Sequence, residues 1–218
     1  ILLVDLDAQS SCTNLFGIRP EADQDMMTVY DIIRYQDPVP VREVIRKTYF
    51  PNIDLIPCSM DIVEFEYETA LSFRDPGAAA PFHARIARAL ADVEDDYDIV
   101  MFDTPPQMTF AVISALFAST GLLIPLTASM LDTMSLTAFL SMAGDLMAVV
   151  EKQASDKTYD FIRFLITRYE GTDQPQVQIA SFLRTILGDA VMSSVFIKST
   201  AIVDAANTTQ SVLEIDPK

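Results

Sequence analysis

The 218-residue chain has no tryptophan, one histidine, two cysteines and six glycines. With His83 alone, a His-based catalytic triad or a multi-histidine metal site within these residues is excluded. Cys12 and Cys58 have neither CxxC spacing nor the density of a disulfide-stapled secreted domain, so both are expected as free thiols in a reducing cytoplasm. Cationic side chains are also scarce. Fifteen Lys and Arg against 31 Asp and Glu give a net charge of −16, which argues against a general nucleic-acid or anionic-membrane binder. Residues 1–110 carry 8 basic and 20 acidic side chains, and residues 111–218 carry 7 and 11, so any basic patch belongs to the second half. No apolar run reads as a signal peptide or a membrane span. Asp5 and Asp7 interrupt the first, and Ser114, Ser119, Thr120, Gly121 and Pro125 punctuate the longest.

What is present is a half-apolar composition, enough for a sizeable core and for a single domain over 1–218. Short, continuously apolar segments at 1–6, 53–56, 99–102, 122–126, 161–167 and 195–197 read as strands covered on both faces, which implies a parallel sheet. Helical patterns lie between them. Asp61 with Glu64 predicts a capping box opening a helix to about Phe73, and Pro81 suits the first turn of a helix carrying Phe82, Ile86, Leu90 and Val93. A stripe of Leu136, Phe139, Leu140, Ala143, Met147 and Val150 predicts another helix. Val177, Ala180, Leu183 and Leu187 predict one more, closed by Gly188 as C-cap. A short helical stretch is expected within 27–35. The alternation predicts an α/β fold, doubly wound, with a mostly parallel sheet and helices on both faces.

In such sheets ligands sit beyond the carboxyl ends of strands, so an acid that follows a buried apolar run marks a candidate site. Two runs qualify. "ILLVDLD" ends in Asp5 and Asp7, and "DYDIVMFDTPP" delivers Asp103, in the manner of a Walker B carboxylate that holds hydrated Mg²⁺ beside nucleotide phosphates. The Asp-x-Asp pair alone is compatible with a metal-binding pair of a nucleotide-sugar transferase or with the nucleophile pair of a haloacid-dehalogenase-like phosphatase. The phosphatase pattern wants Thr or Val where Gln9 stands.

A third reading covers nearly the whole chain. "LLVDLDAQSSCTNLFG" resembles the Asp-x-Asp-Pro-Gln motif of ParA-type partition ATPases, with Ala8 in place of the usual proline. "YDIVMFDTPPQMTFAVISALFASTGLLIPLTASMLDTMSLTAFL" resembles the family's Walker B strand and the elements after it. "MLDTMSLTAFL", "FLITRYE" and "KSTAIVDAANTTQSVLEID" are similar to the RepA branch of repABC plasmids. The resemblance implies ATP and Mg²⁺ as cofactors, with Asp7 orienting the attacking water, Asp5 and Asp103 holding the metal, Gln9 in a γ-phosphate-sensing turn and Arg168 near the adenine. It further implies an ATP-dependent homodimer, a ParB/RepB-like centromere-binding partner, non-specific DNA contacted through Lys198, no membrane, and a cytoplasmic, nucleoid-associated location. A MinD-like positioning ATPase and a non-catalytic ParA-like interaction module are the alternatives. The family's Lys-Gly-Gly-x-Gly-Lys-[Ser/Thr] phosphate loop does not occur in the 218 residues. It is expected upstream of Ile1, which makes the chain a fragment that does not hydrolyse ATP by itself.

Overall fold

The computed structural model describes residues 1–23, 25–74, 81–130, 157–208, 210–212 and 214, together with helical residues 134, 137, 138, 140, 141, 144 and 148. These divide into two compact units, one of Ile1–Ala118 with Ala201–Lys218 and one of Ser119–Thr200. Each is α/β, with mostly parallel strands and intervening helices, as the alternating pattern predicts.

The first unit is built on β1 (Leu2–Asp5), β2 (Arg46–Lys47), β3 (Asp54–Ile56) and β4 (Val100–Asp103), in the order β2-β3-β1-β4. β1 lies at the centre and pairs in parallel with β3 and β4. Leu2 and Val4 are buried, as the continuous apolar run requires of a strand covered on both faces. Only β2 runs antiparallel. It is a two-residue edge whose Lys47 Nζ donates to the Asp54 carboxylate at 2.7 Å. Tyr97 Oη donates to the same carboxylate at 2.7 Å. These partners hold the Asp54 carboxyl below its usual range, against a desolvation that would raise it.

Around this sheet lie α1 (Ser11–Leu15), α2 (Val29–Ile33), α3 (Val41–Val44), α4 (Ile62–Ser72), α5 (Arg85–Leu90) and α6 (Phe110–Ala118). Val29, Ile33, Val44, Phe65, Ile86 and Ala111 close the core with the strands. The expected capping box at Asp61 and Glu64 does not form. Asp61 has helical dihedrals and makes no side-chain cap, because the chain enters α4 through a turn at Ser59, whose Oγ accepts the Asp61 N–H at 3.2 Å. The helix expected from Pro81 through Val93 is also shorter. Its first turn is a 3₁₀ turn at Phe82–Ala84, and α5 ends at Leu90.

The second unit holds β5 (Gly121–Thr127), β6 (Phe161–Tyr169) and β7 (Val191–Ile197), all parallel in that order, with α7 (Gln174–Leu187) between β6 and β7. Pro125 sits in edge strand β5, the place in a sheet where a missing N–H is tolerated. Gly121 faces Phe161 across the register, and a Cβ there would collide with the ring. Gly188 closes α7 with φ +55°, as expected of a C-cap glycine. Of the stripe from Leu136 to Val150, all but Leu140 lie outside the described residues. A further helix, Thr200–Asn207, follows β7. No described helix is long and apolar enough to cross a membrane.

Candidate functional site

The parallel register of β1 and β4 sets the geometry. Leu2 pairs with Val100 and the ladder runs to Asp5 opposite Asp103, so two carboxylates leave adjacent strands at the same level. The Leu6 N–H then bonds the Asp103 carbonyl at 2.8 Å, which fixes the start of the loop carrying Asp7 and Gln9. Asp5, Asp7, Gln9 and Asp103 are thereby brought together in one unit.

Their environments differ. Asp5 is fully buried and accepts three hydrogen bonds. Oδ1 takes the Asp7 N–H at 3.0 Å, while Oδ2 takes the Thr13 N–H at 2.9 Å and the Thr13 hydroxyl at 2.7 Å. The Thr13 hydroxyl in turn accepts the Cys58 N–H at 3.0 Å, which ties α1 to the segment after β3. Asp7 is half-buried and uses Oδ1 for the Gln9 N–H at 2.9 Å, an Asx-type turn, while its carbonyl accepts the Ser10 N–H at 2.8 Å. Ser10 completes the turn in the left-handed region at φ +54°. Gln9 is exposed.

Asp103 is exposed at its strand end, and no described group bonds its side chain. Its carboxyl is raised above the usual range by desolvation and then by the charges of Asp5 and Asp7. The same surroundings push the Cys12 thiol up to about 12, through burial first and then Asp103 and Asp5. No ion pair among the described residues involves Asp5, Asp7 or Asp103. Among the described residues the charge is therefore uncompensated.

A cleft of roughly 310 Å³ opens beside these groups, walled by Asp7, Gln9, Val63, Glu66, Pro106 and Gln107 among others. The two prolines of "TPPQ" form one side of it and α4 another. Glu66 and Thr13 both act at this site and were missed from sequence. Thr13 lies in the same quoted stretch as Asp5, eight residues on, so the partnership of a buried acid with a following Thr was open to view. Glu66 reaches its partners 44 and 45 residues away, and no local pattern signals that.

Arg168 and Lys198 belong to the other unit. Arg168 is exposed near the end of β6 with φ +52°, where the pairing with β7 is irregular between Ile166 and Tyr169. Lys198 follows β7, its N–H bonding the Tyr169 carbonyl at 3.0 Å and its ammonium pairing with Glu170 at 2.9 Å.

The donor set fits a hydrated divalent cation in part. Asp103 offers a free carboxylate whose raised affinity for protons a cation would relieve. Asp5 has both oxygens engaged and acts through its charge and through the turn it holds. Among the described residues no group of three or more His, Cys, Asp or Glu is arranged to hold a metal alone, so further ligands would have to come from phosphates and water.

The AAA_31 family, an AAA domain, matches residues 1–155. A replication protein A of Rhizobium rhizogenes is 39% identical over 220 residues, covering 99% of this chain and 54% of that protein. The chain thus spans about half the length of that curated relative. The sporulation initiation inhibitor protein Soj of Bacillus subtilis is 26% identical over 218 residues, covering 80% of its length. In fold, the chain is similar to Cyanothece McdA in its ATP complex, with a TM-score of 0.79 at 19% identity over 98% of this chain and 77% of that one. It is also similar to a plasmid partition protein of Borrelia burgdorferi bound to AMPPNP, with a TM-score of 0.74 at 20% identity over 99% and 79%. The chain belongs to this AAA-domain family and, within it, to the ParA-type proteins.

Proposed function

We propose that these residues form the switch and Walker B part of a RepA-type ATPase that segregates plasmid DNA, working as an ATP-dependent homodimer with a ParB/RepB-like partner on non-specific DNA. The observation that carries the reading is the in-register pair Asp5 and Asp103 at adjacent parallel strand ends, with Asp7 and Gln9 on the turn just beyond. When bound, Mg²⁺ would offset phosphate charge and fix the geometry of in-line attack.

The chain's own residues divide the remaining work. Asp103 holds the hydrated ion with its unpartnered carboxylate. Asp5 orders the turn through Asp7 and Thr13 and would add negative charge to the site when the ion is bound. Asp7 has Oδ1 committed to Gln9 and Oδ2 available to orient the attacking water and draw its proton. Gln9 sits in the turn where the γ-phosphate is sensed. Arg168 is assigned to the adenine and Lys198 to DNA. Two carboxylates, Asp7 and Glu66, line the cleft, and no Lys or Arg is among its described lining residues, so the lysine of a Gly-rich loop would be needed to receive a triphosphate there.

Calorimetric titration of ATP·Mg²⁺ tests this on two proteins, the 218-residue chain and one extended upstream through such a loop. The extended protein binds in the micromolar range, the shorter chain gives no measurable heat, and Asp103→Ala abolishes the Mg²⁺ dependence in the extended one. Micromolar binding by the 218 residues alone would overturn the division of labour.

A further inference from the structure

The N-terminus of α6 is fully satisfied from two directions. Phe110 and Ala111 donate their N–H groups to Oε2 and Oε1 of Glu66 at 2.9 and 3.1 Å. The Val112 N–H goes to Thr109 Oγ1 at 3.2 Å and the Ile113 N–H to the Thr109 carbonyl at 3.0 Å. Thr109 is an ordinary N-cap and serves the helix end locally. Glu66 is something else. It reaches from the middle of α4, brings a full charge to the positive end of α6, and uses both oxygens to do so.

That arrangement couples three parts of the site. Glu66 forms part of the cleft wall with Asp7 and Gln9. The helix it caps is joined to Asp103 by residues 104–109, a short link stiffened by Pro105 and Pro106 and closed by the Thr109 N–H on the Gln107 carbonyl at 3.1 Å. Pro105, Pro106, Gln107 and Thr109 line the same cleft. Shifting the start of α6 therefore shifts the cleft wall that faces Gln9, and pulls on the strand end that carries Asp103.

We propose that Glu66 is a positioning residue that, by capping α6 from the cleft wall, holds residues 104–109 in place against the Asp7–Gln9 turn and so controls the turnover of the site. The inference deepens the proposed ATPase reading and rests on it. Glu66 is not a general base, since both oxygens are engaged with backbone donors. Glutamine cannot replace it, because the amide keeps one acceptor and turns N–H donors toward a backbone N–H.

The test uses the protein extended upstream through its phosphate loop, with Glu66→Gln, Glu66→Asp and Glu66→Ala, and reads ATP hydrolysis alongside amide hydrogen exchange. Glu66→Gln lowers kcat roughly tenfold with KM for ATP·Mg²⁺ within about twofold, the size expected when a misplaced group loses alignment without losing binding. Glu66→Asp falls between Gln and parent. Exchange rises at Phe110 and Ala111, and also at residues 7–10 across the cleft. An unchanged kcat, or exchange that rises only at residues 110–112, makes Glu66 a mere helix cap and overturns the proposal. A parent without ATP hydrolysis refutes the ATPase reading. The exchange pattern then decides Glu66 by itself, with spread to residues 7–10 supporting the coupling and confinement to α6 refuting it. Should Glu66→Ala fail to fold, the near-isosteric Gln variant carries both readouts.

Discussion

Thr13→Val is the sharpest perturbation of the turn that carries Asp7 and Gln9. Valine keeps the shape and the β-branch, and removes one oxygen. That oxygen donates to the buried Asp5 carboxylate at 2.7 Å and accepts the Cys58 N–H at 3.0 Å, and all three residues are 0% exposed. Loss of a hydrogen bond to a charged acceptor costs about 1.5–3 kcal/mol, and leaving the Cys58 N–H buried without a partner costs about 1–3 kcal/mol more. The expected loss is thus roughly 3–5 kcal/mol, a large fraction of the ~5–15 kcal/mol that holds a typical domain. Thr13→Ser separates the oxygen from the methyl. It keeps both hydrogen bonds and loses about 1 kcal/mol of packing. Urea unfolding followed by circular dichroism reads both variants, and the shift appears in the midpoint with the slope unchanged. A Val variant within about 1 kcal/mol of the parent, or a Ser variant less stable than Val, would refute the account of the Asp5–Thr13–Cys58 network.

Two further outcomes follow from charge. Because the Asp103 carboxyl is raised, the folded protein holds its proton more tightly than the unfolded chain does, so ionisation of Asp103 erodes stability as pH rises through the usual carboxylate range. Asp103→Asn therefore stabilises the metal-free protein at neutral pH by at most about 0.5 kcal/mol, given how solvent screens an exposed group. The gain disappears once the pH lies below that range, and urea unfolding in chelator at both pH values checks it. In the extended protein, Lys198→Glu weakens ATP-dependent DNA binding and lowers the slope of log affinity against log salt by about one, whereas the exposed Arg19→Glu in the other unit does not, as read by fluorescence anisotropy. An unchanged slope for Lys198→Glu removes that residue from the DNA surface.

β1 and β3 were legible because burial on both faces leaves continuous apolar runs. β4, β5 and β6 carry such runs too, but Met101, Leu123 and Phe161 are exposed, so the expectation that every strand is covered on both faces does not hold for them. The run at 99–102 sits one residue off β4, and that at 122–126 lies inside β5. β2 was invisible, since two charged residues at an antiparallel edge carry no periodicity. Four residues of β7 were missed for a related reason. Ser193 and Ser194 interrupt the pattern in a strand whose outer positions are exposed. Helix ends were less legible than helix faces. Gly188 was readable because a left-handed C-cap favours glycine, whereas Asp61 and Glu64 matched a capping pattern that a turn at Ser59 pre-empts. At the site, the acids at strand ends were plain. Their differing environments were not, because the burial of Asp5, the exposure of Asp103 and the reach of Glu66 to α6 all depend on which strands become neighbours.

The central claim is that Asp7 acts on water while its neighbours hold the ion and the turn. In the extended protein, Asp7→Asn keeps the shape of the turn and the Gln9 N–H contact but loses the charge. ATP·Mg²⁺ affinity should stay within about threefold of the parent while turnover falls roughly ten- to a thousandfold, the range for removing one general-base or water-positioning group. Turnover at the parent rate, with binding intact, would contradict the account.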